Sequence, residues 1–444
     1  MGQQKHRTLT SVMALLVMVA LSGAVAMGQA NASAEPTDQQ ISNAIDAELI
    51  QDSAVNSNEI DVTVRDGIAT LAGTVDNILA KDRAIRLAEA IRGVRSVVDR
   101  VTVSAPLRLD AEIRADIENA LLYDPATESY EVDVSVSDQA VTLTGTVESW
   151  QEKDLAGKVT KGVRGVKSLN NRIDVDYQTD RADSEIRAEI AKALRWNVLV
   201  DDALIDAKVN DGDVTLSGTV GSAAEKREAR AAAWVAGVTD VDDDKLNVAR
   251  WARDEDLRTD KYVDKSDGQI EDAVKDAMLY DPRVNTFEVS VSADSGVVTL
   301  SGDVDNLRAK RAAAKDARNT VGVWRVKNQI KVKPIDLADA TVEQNIENAL
   351  SRDPDVDRYE ITVSVVGGDV YLAGAVDSFW EKAVAESIAS SAVGAVEVHN
   401  NLVVDSEYNV LTYDPYVDSY YYYDYDWYVT DDGRVTPKTD WEIL

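Results

Sequence analysis

The chain has no cysteine, two histidines and two phenylalanines among its 444 residues. Without cysteine there are no disulfides, no thiolate metal sites, no cysteine nucleophile and no acylated lipoprotein cysteine. Two histidines remove most imidazole-based acid–base and metal chemistry. Positive charge is also scarce, with 47 Lys+Arg against 79 Asp+Glu and a formal net charge of −32. A general nucleic-acid binder needs a basic footprint, and this balance excludes one. Adhesion of the whole surface to an anionic bilayer is unfavourable for the same reason, although a local patch is not excluded. No glycine-rich phosphate loop is present. Acids are numerous but not marked as buried pairs, and the Asp240 to Asp244 cluster lacks the spacing and glycine of a calcium loop. His399 has no spaced ligands around it. The composition argues against an enzyme, and no cofactor or metal is expected.

The N-terminus reads as a targeting segment. Lys5 and Arg7 precede an uncharged run whose most apolar part is Val12 to Leu21, followed by Ala24-Val25-Ala26 and Ala32-Ser33-Ala34. A basic start, a core of about ten apolar residues and A-x-A sites describe a secretory signal peptide. A membrane span needs about 20 apolar residues, and this core is shorter. Residues 1–34 are therefore expected to be removed, with cleavage after Ala34 or Ala26. No later segment is long and apolar enough to span.

What the chain does have is repetition. LAGTV at 71–75, LTGTV at 143–147, LSGTV at 216–220, LSGDV at 300–304 and LAGAV at 372–376 align five units of roughly seventy residues. Their glycines, Gly73, Gly145, Gly218, Gly302 and Gly374, are each followed by a second one: Gly93, Gly165, Gly237, Gly322 and Gly394. Each unit opens on a helical period such as Ile113, Ile117 and Leu121. Where Tyr-Asp-Pro follows, as at Tyr123 and Tyr280, proline pushes the preceding residue out of the helical region. Two alternating strands come next, joined by turn dipeptides such as Asp66-Gly67 and Asp211-Gly212. The first glycine thus falls on the core face of its strand, where a missing side chain admits a helix or marks a bulge. Ser149, Ser222 and Ser378, each followed three residues later by Glu, start a second helix with a capping box. Asn77 and Asn306 take that position in the other two copies, and the second glycine is the expected C-terminal stop. A last strand closes the unit.

The predicted fold is α+β, a tandem array of α-β-β-α-β units with two helices on a three-stranded mixed sheet. The units are 38–104, 109–177, 183–249, 267–334 and 339–405. Their Asp-Pro, V-x-L-x-G-x-V, S-x-x-E-K and G-V-x-x-V motifs resemble the BON domain of OsmY-like periplasmic proteins. The resemblance implies a periplasmic module that binds at the envelope, with phospholipid association, osmotic stress and chaperoning as its family context. The motif residues are structural and locate no active site.

Three segments depart from the repeat. Residues 250–266 read as a charged, solvated linker with Trp251 and Tyr262 as its aromatics. Residues 406–444 form a Tyr/Asp-rich tail, with nine tyrosines between Tyr408 and Tyr428; it reads as a disordered or edge-pairing segment, a contact surface for glycan or protein, or a decayed sixth repeat. The third departure is charge. Residues 307–333 carry nine cations against the single acid Asp316. Arg308, Arg311, Lys315 and Arg318 share one helical stripe, with Trp324 expected to point outward beside Arg325. Either these residues bind anionic lipid or phosphate, or the basic half of one repeat docks on the acidic half of another. The corresponding partners are membrane phospholipid or envelope proteins, with a soluble chaperone or scaffold as the alternative. The oligomeric state stays open.

Overall fold

Five times along the chain the same five elements recur, in the order helix, strand, strand, helix, strand. The computed structural model describes residues 36–55, 59–124, 132–177, 181–253, 261, 265–284, 288–335, 337–404, 427–429 and 435–437. Residues 1–34, expected above to be a signal peptide, and most of the tyrosine-rich tail lie outside the described residues. Within the tail, Trp427–Val429 pairs antiparallel with Val435–Pro437. All the repeats belong to the unit that begins at Asp38.

Repeat 2 shows the plan. Its first helix, Asp110–Tyr123, turns Ile113, Ile117 and Leu121 inward. Strand Val132–Ser137 pairs antiparallel with Ala140–Val147, which pairs parallel with Ser168–Val175. The second helix, Trp150–Lys161, lays Ala156 and Val159 on the same sheet face as the first. The sheet is mixed because a hairpin joins its first two strands and a helix crossover joins the last two. The strand that follows the hairpin turn is central in every copy. Each repeat has its own apolar cluster.

One acid per repeat ties helix to hairpin. The first residue of the first helix is Asp38, Asp110, Asp183, Asp267 or Asp339. Its carboxylate accepts two backbone N–H groups from the two-residue turn, at 2.8–3.2 Å. Both turn residues have positive φ, as at Asp66 (51°) and Gly67 (73°), the geometry of a type I′ hairpin. That conformation aims consecutive N–H groups outward to one side, where a carboxylate at a helix start receives them and is also favoured by the helix dipole.

The two phased glycines have roles that differ from the expected ones. Gly73, Gly218, Gly302 and Gly374 have φ of 124–136°, and a Cβ there would stand 1.9–2.0 Å from the carbonyl oxygen of Glu59, Leu204, Glu288 or Glu360. The close approach comes from backbone at the start of the neighbouring strand, not from a helix. The second glycine does not stop the second helix, which ends three to five residues earlier, as at Ala90 before Gly93 and Ala232 before Gly237. It lies in the turn to the last strand with φ of 87–97°, and a Cβ on it would press on Ile113, Ile186, Ile270 or Val342 of the first helix. That is where the helix comes close.

The serine caps are as expected. Ser149, Ser222 and Ser378 accept from the N–H of Glu152, Glu225 and Glu381. The glutamates reach one residue further back than a simple box, to the N–H of Glu148, Gly221 and Asp377. Glu225 and Glu381 also accept from Asp201 and Asp357 at 2.7 Å, fastening the loop that leaves the first helix.

Replacing Asp183 by Ala removes two charge-assisted hydrogen bonds and should cost repeat 3 about 1–3 kcal/mol. Amide exchange should quicken across Ile205–Val220 while repeat 5 keeps its protection. Unchanged exchange in that hairpin would show that the aspartate does not hold the turn.

Candidate functional site

Basic second helices sit against other repeats. In repeat 4 the helix Leu307–Arg318 buries Ala309, Ala312, Ala313, Ala314 and Ala317. Small side chains let this helix lie close to its surroundings, so cations beside them meet protein rather than water. Arg308 pairs with Asp124 at the end of the first helix of repeat 2, with side chains 8% and 9% exposed. Arg311 donates to Glu386 of repeat 5 at 2.8 Å. Lys315 faces the cavity described below, and Arg318 is half-buried on the last turn. Trp324 and Arg325 are exposed, but Trp324 covers the Ser295-Gly296 turn and donates from Nε1 to the Ser295 carbonyl at 2.6 Å. Arg95, Thr239 and Val396 cover the same turn in repeats 1, 3 and 5. The stripe and the tryptophan are thus not one surface.

Other repeats are joined in the same manner. Arg164 of repeat 2 donates to the carbonyls of Asp353 and Val356 in repeat 5. Lys161 pairs with Asp82 of repeat 1 at 2.6 Å, and Arg227 of repeat 3 pairs with Glu89 of repeat 1. Repeats 3 and 4 share backbone hydrogen bonds, Val198 N–H to Asn319 O and Val321 N–H to Trp196 O. The linker contributes too. Ala252 is buried, and Lys261 is 5% exposed with its amine on the carbonyls of Leu194 and Val200. That linker is therefore not wholly solvated. Burial lowers the pKa of Lys261, against the opposing pull of Asp202 and Asp201.

Between the repeats lies a half-open cavity of about 1020 Å³, lined by residues of all five. Trp150 and Trp234 stack on its wall with centroids 5.0 Å apart and planes 8° from parallel. Trp380 lies under the guanidinium of Arg83 at 4.0 Å. Trp196, Leu79 and Leu155 add further apolar surface. Nine cationic and nine acidic side chains complete the lining, so the wall is formally neutral in a chain of −32. The sequence reading missed these tryptophans. The signal that singled out Trp324, a tryptophan where other repeats place something else, also marks Trp150 and Trp234.

Asp355 stands where repeats 1 and 5 meet, accepting from Asn77 Nδ2 at 2.8 Å and Trp380 Nε1 at 3.0 Å. Loss of water around the carboxylate pushes its pKa up to about 6; Asp76 adds to this, while Trp380, Arg83 and Asn77 oppose it. Because the folded value lies above the unfolded one, the stabilising contribution is complete below pH 3.8 and is lost as pH rises through 6.

Among the described residues, one group of donors is close enough to share a metal ion, Asp369 with Glu397 and His399. None of the three lines the cavity. Among the described residues no helix is long and apolar enough to cross a membrane.

Two outcomes follow from these contacts. Arg308→Ala leaves the Asp124 carboxylate buried without its cation and should cost about 3–5 kcal/mol; thermal unfolding indistinguishable from the parent would contradict the docking role. Asp355→Asn should flatten the stability–pH curve between pH 4 and 6 and raise stability at pH 7, as read by denaturant unfolding across that range.

Comparison with known proteins agrees with this architecture. The BON domain profile matches residues 37–105, 109–177, 182–250, 266–334 and 338–406. The chain is 30% identical over 141 residues to osmotically-inducible protein Y of Escherichia coli (strain K12), covering 30% of this chain and 70% of that protein. Two solved structures of CdsD, a structural protein of the type III secretion system of Chlamydia trachomatis, match at 16% identity. They cover 47% and 53% of this chain and 96% and 97% of theirs, but TM-scores of 0.13 and 0.15 support no likeness of whole-chain arrangement. Five consecutive family matches, each spanning one α-β-β-α-β unit, make this chain a member of the BON-domain family.

Proposed function

We propose that the chain is a non-enzymatic, periplasmic envelope-binding protein of osmotic or envelope stress, and that its ligand is a phospholipid-type amphiphile held in the inter-repeat cavity. The observation that carries this reading is the cavity's lining. Ligand sites are commonly concave, largely apolar and about 300–1,000 Å³ in volume, and this one is of that size. Its tryptophans suit acyl chain and the head-group boundary alike, because indole combines an apolar body with a polar N–H. Cations and acids in equal number suit a zwitterionic head better than a purely anionic one. Similarity to an osmotically inducible protein supports the stress context.

The repeat 4 stripe is a weaker carrier for a membrane role. Two of its cations already meet carboxylates of other repeats, Arg308 with Asp124 and Arg311 with Glu386. A bilayer would have to displace those acids, and the surrounding negative charge would repel an anionic surface over a Debye length of about 10 Å.

The test uses the full chain incubated with phosphatidylethanolamine vesicles, separated from them, and analysed for retained lipid by native mass spectrometry. Retention near one lipid per chain is expected. Ala188→Trp, which projects an indole into the cavity from a position outside the core, should reduce retention at least tenfold with unfolding unchanged. Arg325→Glu on the outer surface should leave it intact. No retained lipid, or equal retention by the Ala188→Trp variant, overturns the cavity reading. Suppression of client aggregation without lipid retention would favour the chaperone alternative instead.

A further inference from the structure

The third strand of repeat 5 runs parallel to the second, with Asp369 opposite Glu397 and Tyr371 opposite His399. Val370 and Leu372 point into the core. The alternation of a strand therefore puts Asp369, Tyr371, Glu397 and His399 together on the sheet face away from the helices. One donor atom from each of Asp369, Glu397 and His399 falls within 4.8 Å of the others. Neither carboxylate has a hydrogen-bond or ion-pair partner among the described residues. Two acids directly opposite on a ladder repel one another, and among the described residues no cation pairs with them. Tyr371 stacks on the imidazole of His399, with centroids 4.6 Å apart and planes 19° from parallel, and so holds the ring upright beside the acids.

We propose that Asp369, Glu397 and His399 form a binding site for a divalent transition-metal ion, foremost Zn²⁺. Bonds of about 2.0–2.2 Å around a tetrahedral ion place its donors roughly 3.4 Å apart. Side-chain rotation that brings the donors about 1.4 Å closer closes the observed spread to that value, and Glu397, the exposed member of the three, has that freedom. The donor types select the ion. Carboxylates alone suit Mg²⁺ and Ca²⁺, whereas an imidazole nitrogen favours zinc, copper and nickel. Three protein donors leave a fourth position to water or to a ligand. The set is specific to this repeat. Repeat 4 has Val297, Arg325 and Lys327 in the same register, and repeat 3 has Asp213, Asp240 and Asp242 without an imidazole. The bound ion would clamp the parallel strand pair, which links metal binding to the stability of repeat 5.

The experiment is calorimetric titration of the chelator-treated full chain with ZnCl₂, followed in parallel by the NMR ring signals of His399. One site is expected, with His399 signals shifted by Zn²⁺ and unmoved by Mg²⁺. His399→Ala should weaken binding at least tenfold, and Glu397→Gln should weaken it several-fold. Asp242→Asn in repeat 3 should leave it unchanged. All three substitutions face away from the core, and Zn²⁺ should raise the unfolding temperature of the parent but not of the His399→Ala variant. Zinc binding unaltered by His399→Ala, equal binding of Mg²⁺, or His399 signals unmoved by excess zinc would each overturn the site.

Discussion

The pairing of cationic second helices with carboxylates and carbonyls of other repeats decides how five similar units become one body. Arg308 on Asp124, Arg164 on the carbonyls of Asp353 and Val356, and Arg227 on Glu89 all cross between units. A buried ion pair adds little net stability over an apolar contact, because both charges must first leave water. Its effect is on selection: a misdocked repeat would bury an arginine with nothing to receive it. Five units with nearly interchangeable cores need such a device, since apolar faces alone do not distinguish one neighbour from another.

Inside each unit a second set of constraints works independently of docking. The aspartate at the first helix start, the positive-φ hairpin turn and the second glycine all meet at one end of the repeat. The carboxylate fixes the helix to the hairpin, and the absent Cβ lets the last turn settle on the first core residue of that helix. The other end is held by the S-x-x-E glutamate, which spans the second helix start and the loop after the first helix. Burial raises the pKa of Glu381 against the opposing backbone N–H groups of Asp357 and Asp377. Repeats 3 and 5 are thereby fastened at both ends, and the middle of their sheets is left to apolar packing.

These two levels separate structure from function. Residues that recur in every copy hold the unit, and residues that occur once supply what distinguishes a position in the assembly. Trp150, Trp234 and Trp380 occur once and meet at the cavity. The combination of an imidazole with two acids occurs once, on the sheet face of repeat 5 that points away from the helices. Within a chain of net charge −32 the cavity wall balances its own signs, and that balance suits the amphiphile proposed for it better than it suits an extended anionic surface.

Repetition made the α-β-β-α-β order, the strand alternation and the caps at Ser149, Ser222 and Ser378 legible in the amino-acid sequence, because local periodicity and capping chemistry act over a few residues. The cationic stripe was legible too, and docking was one of the two readings left open for it. What that stripe faces was not, because Arg308 and Asp124 are separated by more than two repeats. The role of the phased glycines was also hidden: the same missing side chain serves a helix, a bulge or a neighbouring backbone, and only φ and the position of Glu59 or Leu204 tell them apart. His399 looked solitary because its partners lie on an adjacent strand or two residues along its own, and only strand register brings them together. Sequence by itself determined the unit and its number of copies; the tertiary structure decided which charged groups are spent between units and which surfaces remain, since those depend on contacts between residues far apart in the chain.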